Sequence, residues 1–292
     1  MIAVAERASI TGGLSRRRRV KDRAFTAALW ACGFLAMLPL LFIAGYVISK
    51  GVPALNTAFF TKTPSFAGDP NQGIKEAFIG SGMIVGIASL ISIPLGLMAG
   101  IYLSEFGRGR AAGVVRFVAE ILLSTPSIVA GAFIFGLIVV ALHSFSAFAA
   151  GLALTVLMWP IIARTTEEVL RLVPQDYREG ALALGVPRWR VILKIVVPTA
   201  GAGIFTAIML AVARGLGETA PVLLTAFGND FVNTNPFRPT DAVSLRVFNY
   251  AQQPDAQFHT IAWGGATMLL ASVLILSITA RILSVRQQRR LG

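Results

Sequence analysis

The sequence predicts an all-α integral membrane protein with six transmembrane helices. Three observations carry that expectation. Of 292 residues, 55% are hydrophobic and only 14% charged, whereas a soluble domain averages about 25% charged. The apolar excess must face something other than water. Six stretches are long enough to cross a bilayer, which takes about 20 apolar residues as a helix. The basic residues, finally, concentrate in alternate connections. A net charge of +12 would suggest nucleic acid if the chain were soluble; in a membrane it predicts Lys/Arg-rich cytoplasmic segments. Cys32 is the only cysteine, so an intrachain disulfide and a Cys-rich metal site are excluded.

The six expected spans cover residues 24–49, 77–103, 117–142, 147–163, 199–226 and 260–283. The first follows Arg16, Arg17, Arg18, Arg19, Lys21 and Arg23. That pattern also opens a signal peptide, but this apolar stretch is too long and lacks a small-x-small cleavage site, so it reads as a retained anchor. Six spans put both termini on one side. With the N-terminus inside, segments 1–23, 104–116, 164–198 and 281–292 hold 20 of the 26 Lys and Arg. The outer segments hold only Lys50, Lys62, Lys75, Arg238 and Arg246. The chain thus divides into a basic cytoplasmic tail (1–23), a six-span domain (24–283) and a second basic tail (284–292). The basic excess is a topology signal and no nucleic-acid partner is expected. The outer segments 50–76 and 227–259 are long enough for short helices or a docking surface.

The inner loop 164–198 carries the most local chemistry. Asp176 and Glu179 fit a capping box at a helix start. Ala181, Leu182, Ala183 and Leu184 favour helix. Gly185 suits a left-handed cap and Pro187 the first position of a second helix. Ala181 and Gly185 are small, so another protein's surface could approach closely, with Arg178, Arg188 and Arg190 around the turn. The loop resembles the EAA loop of ATP-binding-cassette importer permeases. Glu179, Ala181, Gly185, Ile195 and Pro198 fall on the family spacing; Gly180 stands where an alanine is usual and Val197 where a leucine is. The resemblance implies a type I importer permease fold whose loop 175–198, through Glu179, Gly180, Ala181, Gly185 and Pro198, is a coupling helix docked on an ATPase subunit.

Span five contains ARGLGETAPVLLTA, residues 213–226. Arg214 and Glu218 are four residues apart, on one helical face. Arg214 lies about 15 residues, or about 22 Å, from the inner end of the span. A charge at that depth costs several kcal/mol unless paired or wet. Gly215, Gly217 and Pro221 loosen the helix around the pair. Two readings stay open: a polar path in which Arg214 attracts an anion, and a buried ion pair that fixes packing. Arg164, at the inner end of span four, is either an exit-side anion site or a snorkelling arginine. Arg116 and Glu120 read as an interfacial i,i+4 pair. His143 and His259 read as interfacial. No metal, cofactor or catalytic residue is expected.

The span-five motif is similar to that of PstA-type phosphate importer permeases, usually A-R-x-x-G-E-T-A-P-L-L-x-T-A. Further similar stretches are IPLGLMAGIYLSEF at 93–106, TPSIVAGAF at 125–133 and RTTEEVLRLVPQDYREGALALG at 164–185. The resemblance covers about residues 77–228. It implies phosphate as substrate, a heterodimer with a PstC-like permease, two PstB-like ATPase subunits and a PstS-like phosphate-binding protein. It implies that Arg164, Arg214, Glu218 and Thr219 lie on the substrate path. Chemistry supports such residues independently. An arginine fork matches phosphate oxygens, and a nearby carboxylate, here Glu218, could accept a hydrogen bond from the P–OH group, which fully ionised sulfate lacks. Alternatively Glu218 neutralises Arg214 between transport events. The chain has no G-x-x-x-x-G-K-[ST] phosphate loop, so ATP hydrolysis would reside in a partner. The alternatives are another oxyanion, a PstC-like sister subunit, an ion-gradient-driven anion transporter and a non-transporting scaffold.

Overall fold

The computed structural model describes residues 16–69 and 71–291. Most of the expected basic tail (1–15), Pro70 and Gly292 lie outside the described residues. The chain forms two units, residues 1–49 and 50–292. The first consists of helix α1, Arg16–Gly51, which runs into the start of the second. The exposed Leu29, Trp30, Phe34, Leu41 and Phe42 of α1 give it a surface suited to lipid. Residues 16–23, expected in the tail, are the first turns of this helix.

The second unit is built around α6, Ala147–Arg171. In its most apolar stretch 72% of residues are buried, against 33% in α3, Lys75–Ile101, and 6% in α12, Ala256–Leu291. α6 is therefore the central helix, and its neighbours turn most of their surface outward to lipid. Small residues let α3 come close. A Cβ on Gly96 would sit 2.7 Å from Ile162 Cβ, and one on Gly100 2.6 Å from Thr166 Cβ. Ile84, Ala88, Leu154, Met158, Ile162, Ala211 and Val222 fill the core between these helices and the fifth span.

Among the described residues, four helices are long and apolar enough to cross a membrane unbroken, and two bent pairs bring the number to as many as six. The expected third span, 117–142, is not straight. α4 (Arg110–Ser124) and α5 (Ser127–Ile134, continued to Leu142) meet at 107°. The cause is Pro126, which disfavours helix in the residue before it; Thr125 is extended at φ −75°, ψ 132°. The hydroxyls of Ser124 and Thr125 donate to the carbonyls of Glu120 and Ile121, satisfying acceptors that the ending helix frees. α4 instead presents Val114, Phe117 and Ile121 outward and buries Ala112 and Ala119, a stripe suited to lying across one face of the bundle.

On the face opposite the basic loop, segments 50–76 and 227–259 pack on each other. They carry α2, Thr57–Thr61, and α11, Val243–Ala251. Phe59, Ile74, Val243, Tyr250 and Ile261 form their own core.

Candidate functional site

The fifth span begins as α8, Arg188–Val191, continued to Thr199. It bends by 69° into α9, Gly201–Gly217, just after Pro198, and breaks again before α10, Ala220–Ala226. The second break lies at Glu218, extended at φ −72°, ψ 126°, with Pro221 pre-set for the first turn that follows. Tight packing holds the break. A Cβ on Gly215 would lie 2.9 Å from Met158 Sδ, and one on Gly131 2.6 Å from Pro221 Cα. Ser244 Oγ donates to the Glu218 carbonyl at 2.9 Å. Irregular backbone at membrane depth is tolerated where protein receives it, and this packing and hydrogen bond supply that here.

Arg214 occupies the last turn of α9. Its Nε donates to Glu218 Oε1 at 3.4 Å; half of the arginine side chain is exposed, against 17% of the glutamate. The pair read from the sequence forms, but with its carboxylate just past the helix end. Thr219 is half-buried, and its carbonyl accepts from Leu223 N at 2.8 Å.

Arg164 projects from α6 and is not a solitary snorkelling arginine. Its Nη1 donates to Glu167 Oε2 at 2.8 Å, and Nη2 lies 3.5 Å from Glu120 Oε1. Glu167, only 1% exposed, also accepts from Arg116 at 2.8 Å and Arg171 at 2.6 Å. The expected Arg116–Glu120 pair therefore does not form. The bend at Pro126 lays α4 across α6, and Arg116 reaches Glu167 and the carbonyls of Leu103 and Gly107 instead. The spacing of Arg164, Glu167 and Arg171 on one helix could have flagged Glu167, but its third partner, Arg116, comes from α4 and was not legible.

Arg164 and Arg214 line one cavity of about 480 Å³, with Glu120, Leu123, Ile161, Thr165, Glu168 and Leu210. The structure thus brings together the two arginines that the sequence singled out. Glu218 and Thr219 are not in its wall; Glu218 reaches the cavity only through Arg214.

The basic loop folds as two helices. α7, Gln175–Ala183, starts after Pro174, and no side chain caps it. The expected capping box is absent because Asp176 already lies inside the first turn. Gly185 adopts φ +79°, and Val186 N donates back to Ala181 O at 3.2 Å while Gly185 N donates to Leu182 O at 2.9 Å. This is the glycine-terminated cap expected there. Pro187 precedes α8 by one residue rather than opening it. Ala181 is buried in the chain's own core with Leu170, Val173 and Val191, so it is not a face offered to another protein. Glu179, Gly180, Gly185 and Pro198 are exposed. Arg178 is half-buried and pairs at 2.8 Å with Glu105, on the π-helical turn Tyr102–Phe106 that ends the second span.

On the opposite face Arg246 gathers Asp241, Asp230 (2.7 Å) and Glu76 (3.4 Å). Nothing in the residue pattern announces this cluster, whose members are spread over 171 positions of chain. Burial pushes the Asp241 carboxyl up to about 6 despite Arg246. Burial likewise pushes the Tyr250 hydroxyl up to about 12.

The sequence profile described as "Binding-protein-dependent transport system inner membrane component" matches residues 92–291. A phosphate transport system permease protein PstA from Yersinia pestis is 39% identical over 272 residues, 93% of this chain and 92% of its own. One from Xylella fastidiosa strain 9a5c is 45% identical over 249 residues, 83% and 85% of the two chains. Among solved structures, an inward-facing MetNI methionine ABC transporter chain aligns with a TM-score of 0.56, covering 74% of this chain and 94% of that one at 18% identity. That likeness shows a shared fold. By profile, by relatives along nearly its whole length and by fold, the chain belongs to the binding-protein-dependent transport inner membrane family, within which it groups with the PstA permeases.

Proposed function

We propose that this chain is the permease subunit forming half of the phosphate path of an ATP-driven importer. One observation carries the reading: Arg164 and Arg214, from different helices, meet at one open cavity. Burying two cations within a membrane domain is costly unless they are paired or serve an anion. Here each is held by a carboxylate behind it, and Arg214 commits only its Nε. Its two Nη groups remain for phosphate oxygens, which a guanidinium matches in bidentate fashion. Glu218 then balances Arg214 between transport events, and Thr219 belongs to the helix break beside it.

The cavity is open on one side, as expected of a path completed by a PstC-like sister permease. Two PstB-like ATPase subunits serve the permease pair, and the loop 175–198 docks on one of them, with Glu179, Gly180, Gly185 and Pro198 in the contact. A PstS-like protein delivers phosphate on the other face. The Lys/Arg-rich segments support an orientation with both termini and the loop in the cytoplasm of a bacterial inner membrane. Phosphate uptake by cells carrying Arg214→Ala tests the proposal. Uptake should fall at least about tenfold with normal membrane insertion, the scale of one lost charge-assisted contact. Arg214→Lys, a point charge without the fork, should restore only part. Wild-type uptake in Arg214→Ala would reject it, and failure of an ATPase to co-purify would point to a gradient-driven carrier.

A further inference from the structure

The cavity holds a carboxylate that neither the family motif nor the arginine pairs account for. Glu168 lines it beside Arg164 and Thr165, and it is exposed. Among the described residues it makes no hydrogen bond or ion pair. The other carboxylates nearby are occupied. Glu120 faces Arg164, Glu167 holds three arginines, and Glu218 holds Arg214. An ionised carboxylate accepts hydrogen bonds and donates none.

We infer that Glu168 is a specificity-determining residue that reads the proton on the substrate. The inference rests on the phosphate-path reading above. At neutral pH phosphate carries at least one P–OH, and that group donates to Glu168 while the guanidinium groups of Arg164 and Arg214 take the ionised oxygens. A fully deprotonated tetrahedral dianion such as sulfate has no proton to give. It meets Glu168 lone pair to lone pair and is repelled, so the rejection is built into the site. The role assigned to Glu218 from the sequence passes to Glu168, because Glu218 lies outside the cavity wall and its carboxylate is spent on Arg214.

The test uses the intact importer, both permeases with the ATPase subunits, in lipid nanodiscs without the binding protein, which would impose its own selectivity. Radiolabelled phosphate is bound and displaced by sulfate. Sulfate should displace phosphate at least about tenfold more effectively from Glu168→Gln than from the wild type, the change expected from one charged contact. Glu168→Asp, which keeps the carboxylate, should behave as the wild type. Unchanged displacement from an assembled Glu168→Gln importer would overturn the inference. So would loss of the sister permease from that variant, which would make Glu168 an assembly residue. The phosphate uptake of Arg214→Ala separates the two ideas. Wild-type uptake there sinks the path reading, whereas loss of uptake there with unchanged sulfate displacement sinks only the role of Glu168.

Discussion

At the residue scale, the buried charges divide into hubs with opposite imbalances. Glu167 faces Arg116, Arg164 and Arg171, so cations outnumber anions on the basic face. Arg246 faces Asp241, Asp230 and Glu76, so anions outnumber cations on the other. Removing the central member of such a hub strands the rest, which costs about 3–5 kcal/mol; Arg246→Ala should therefore lower the unfolding temperature more than Arg238→Ala, measured by a thermal shift in detergent. The hub also predicts a pH dependence. Asp241 has a folded-state value of about 6, above its unfolded value of about 3.9. Between the two, the folded chain binds the proton more tightly, so stability is full below about 4 and declines as pH rises through about 6. Amide exchange over residues 227–251, corrected for intrinsic rate, should be better protected at pH 5 than at pH 7, and Asp241→Asn should flatten that difference.

At the element scale, the breaks and turns in helices decide which side chains meet. Thr125–Pro126 turns one expected span into a surface helix and a steep one, and only then can Arg116 and Glu120 reach α6. The sequence displayed the proline, but an apolar count over residues 117–142 passes over it. The π-helical turn Tyr102–Phe106 places Glu105 against Arg178 of α7. Arg178 also donates to the carbonyls of Leu170 and Val173, so the loop, α3 and α6 are joined as one lever. Arg178→Glu should uncouple ATP hydrolysis from phosphate uptake, and the charge swap with Glu105→Arg should restore part of the coupling. Independent, unrescued loss would show that the pair acts separately. Gly185 is a different case. At φ +79° a side chain is strained by roughly 1–2 kcal/mol, and no atom of the chain lies near a Cβ built there. Gly185→Leu should leave membrane insertion intact and disturb only the external contact, read as ATPase activity that no longer responds to transport. Gly185→Asn, which tolerates that backbone, should be milder.

At the scale of the whole molecule, the proposed reading makes the second unit one half of a path rather than a complete channel. In the second unit the central helix is buried, its flanking helices expose apolar surface, and the cavity lined by Arg164 and Arg214 opens at one side. The purified chain alone should hydrolyse no ATP, since it lacks a phosphate loop, and should support no uptake in liposomes until the other subunits are added; uptake by the lone chain would contradict the proposal. The sequence by itself determined the membrane class, the number of apolar stretches, the Gly185 cap and the Arg214–Glu218 pair. Each depends on residues within a turn or two, or on composition summed along a window. Only the tertiary structure decided that Arg164 and Arg214 share a cavity, that Glu167 rather than Glu120 holds Arg116, that Ala181 is buried and that Glu168 stands unengaged. These facts depend on which helices a proline bend and a glycine contact bring together, and side chains from separate helices meet only once packing has set the distance between them.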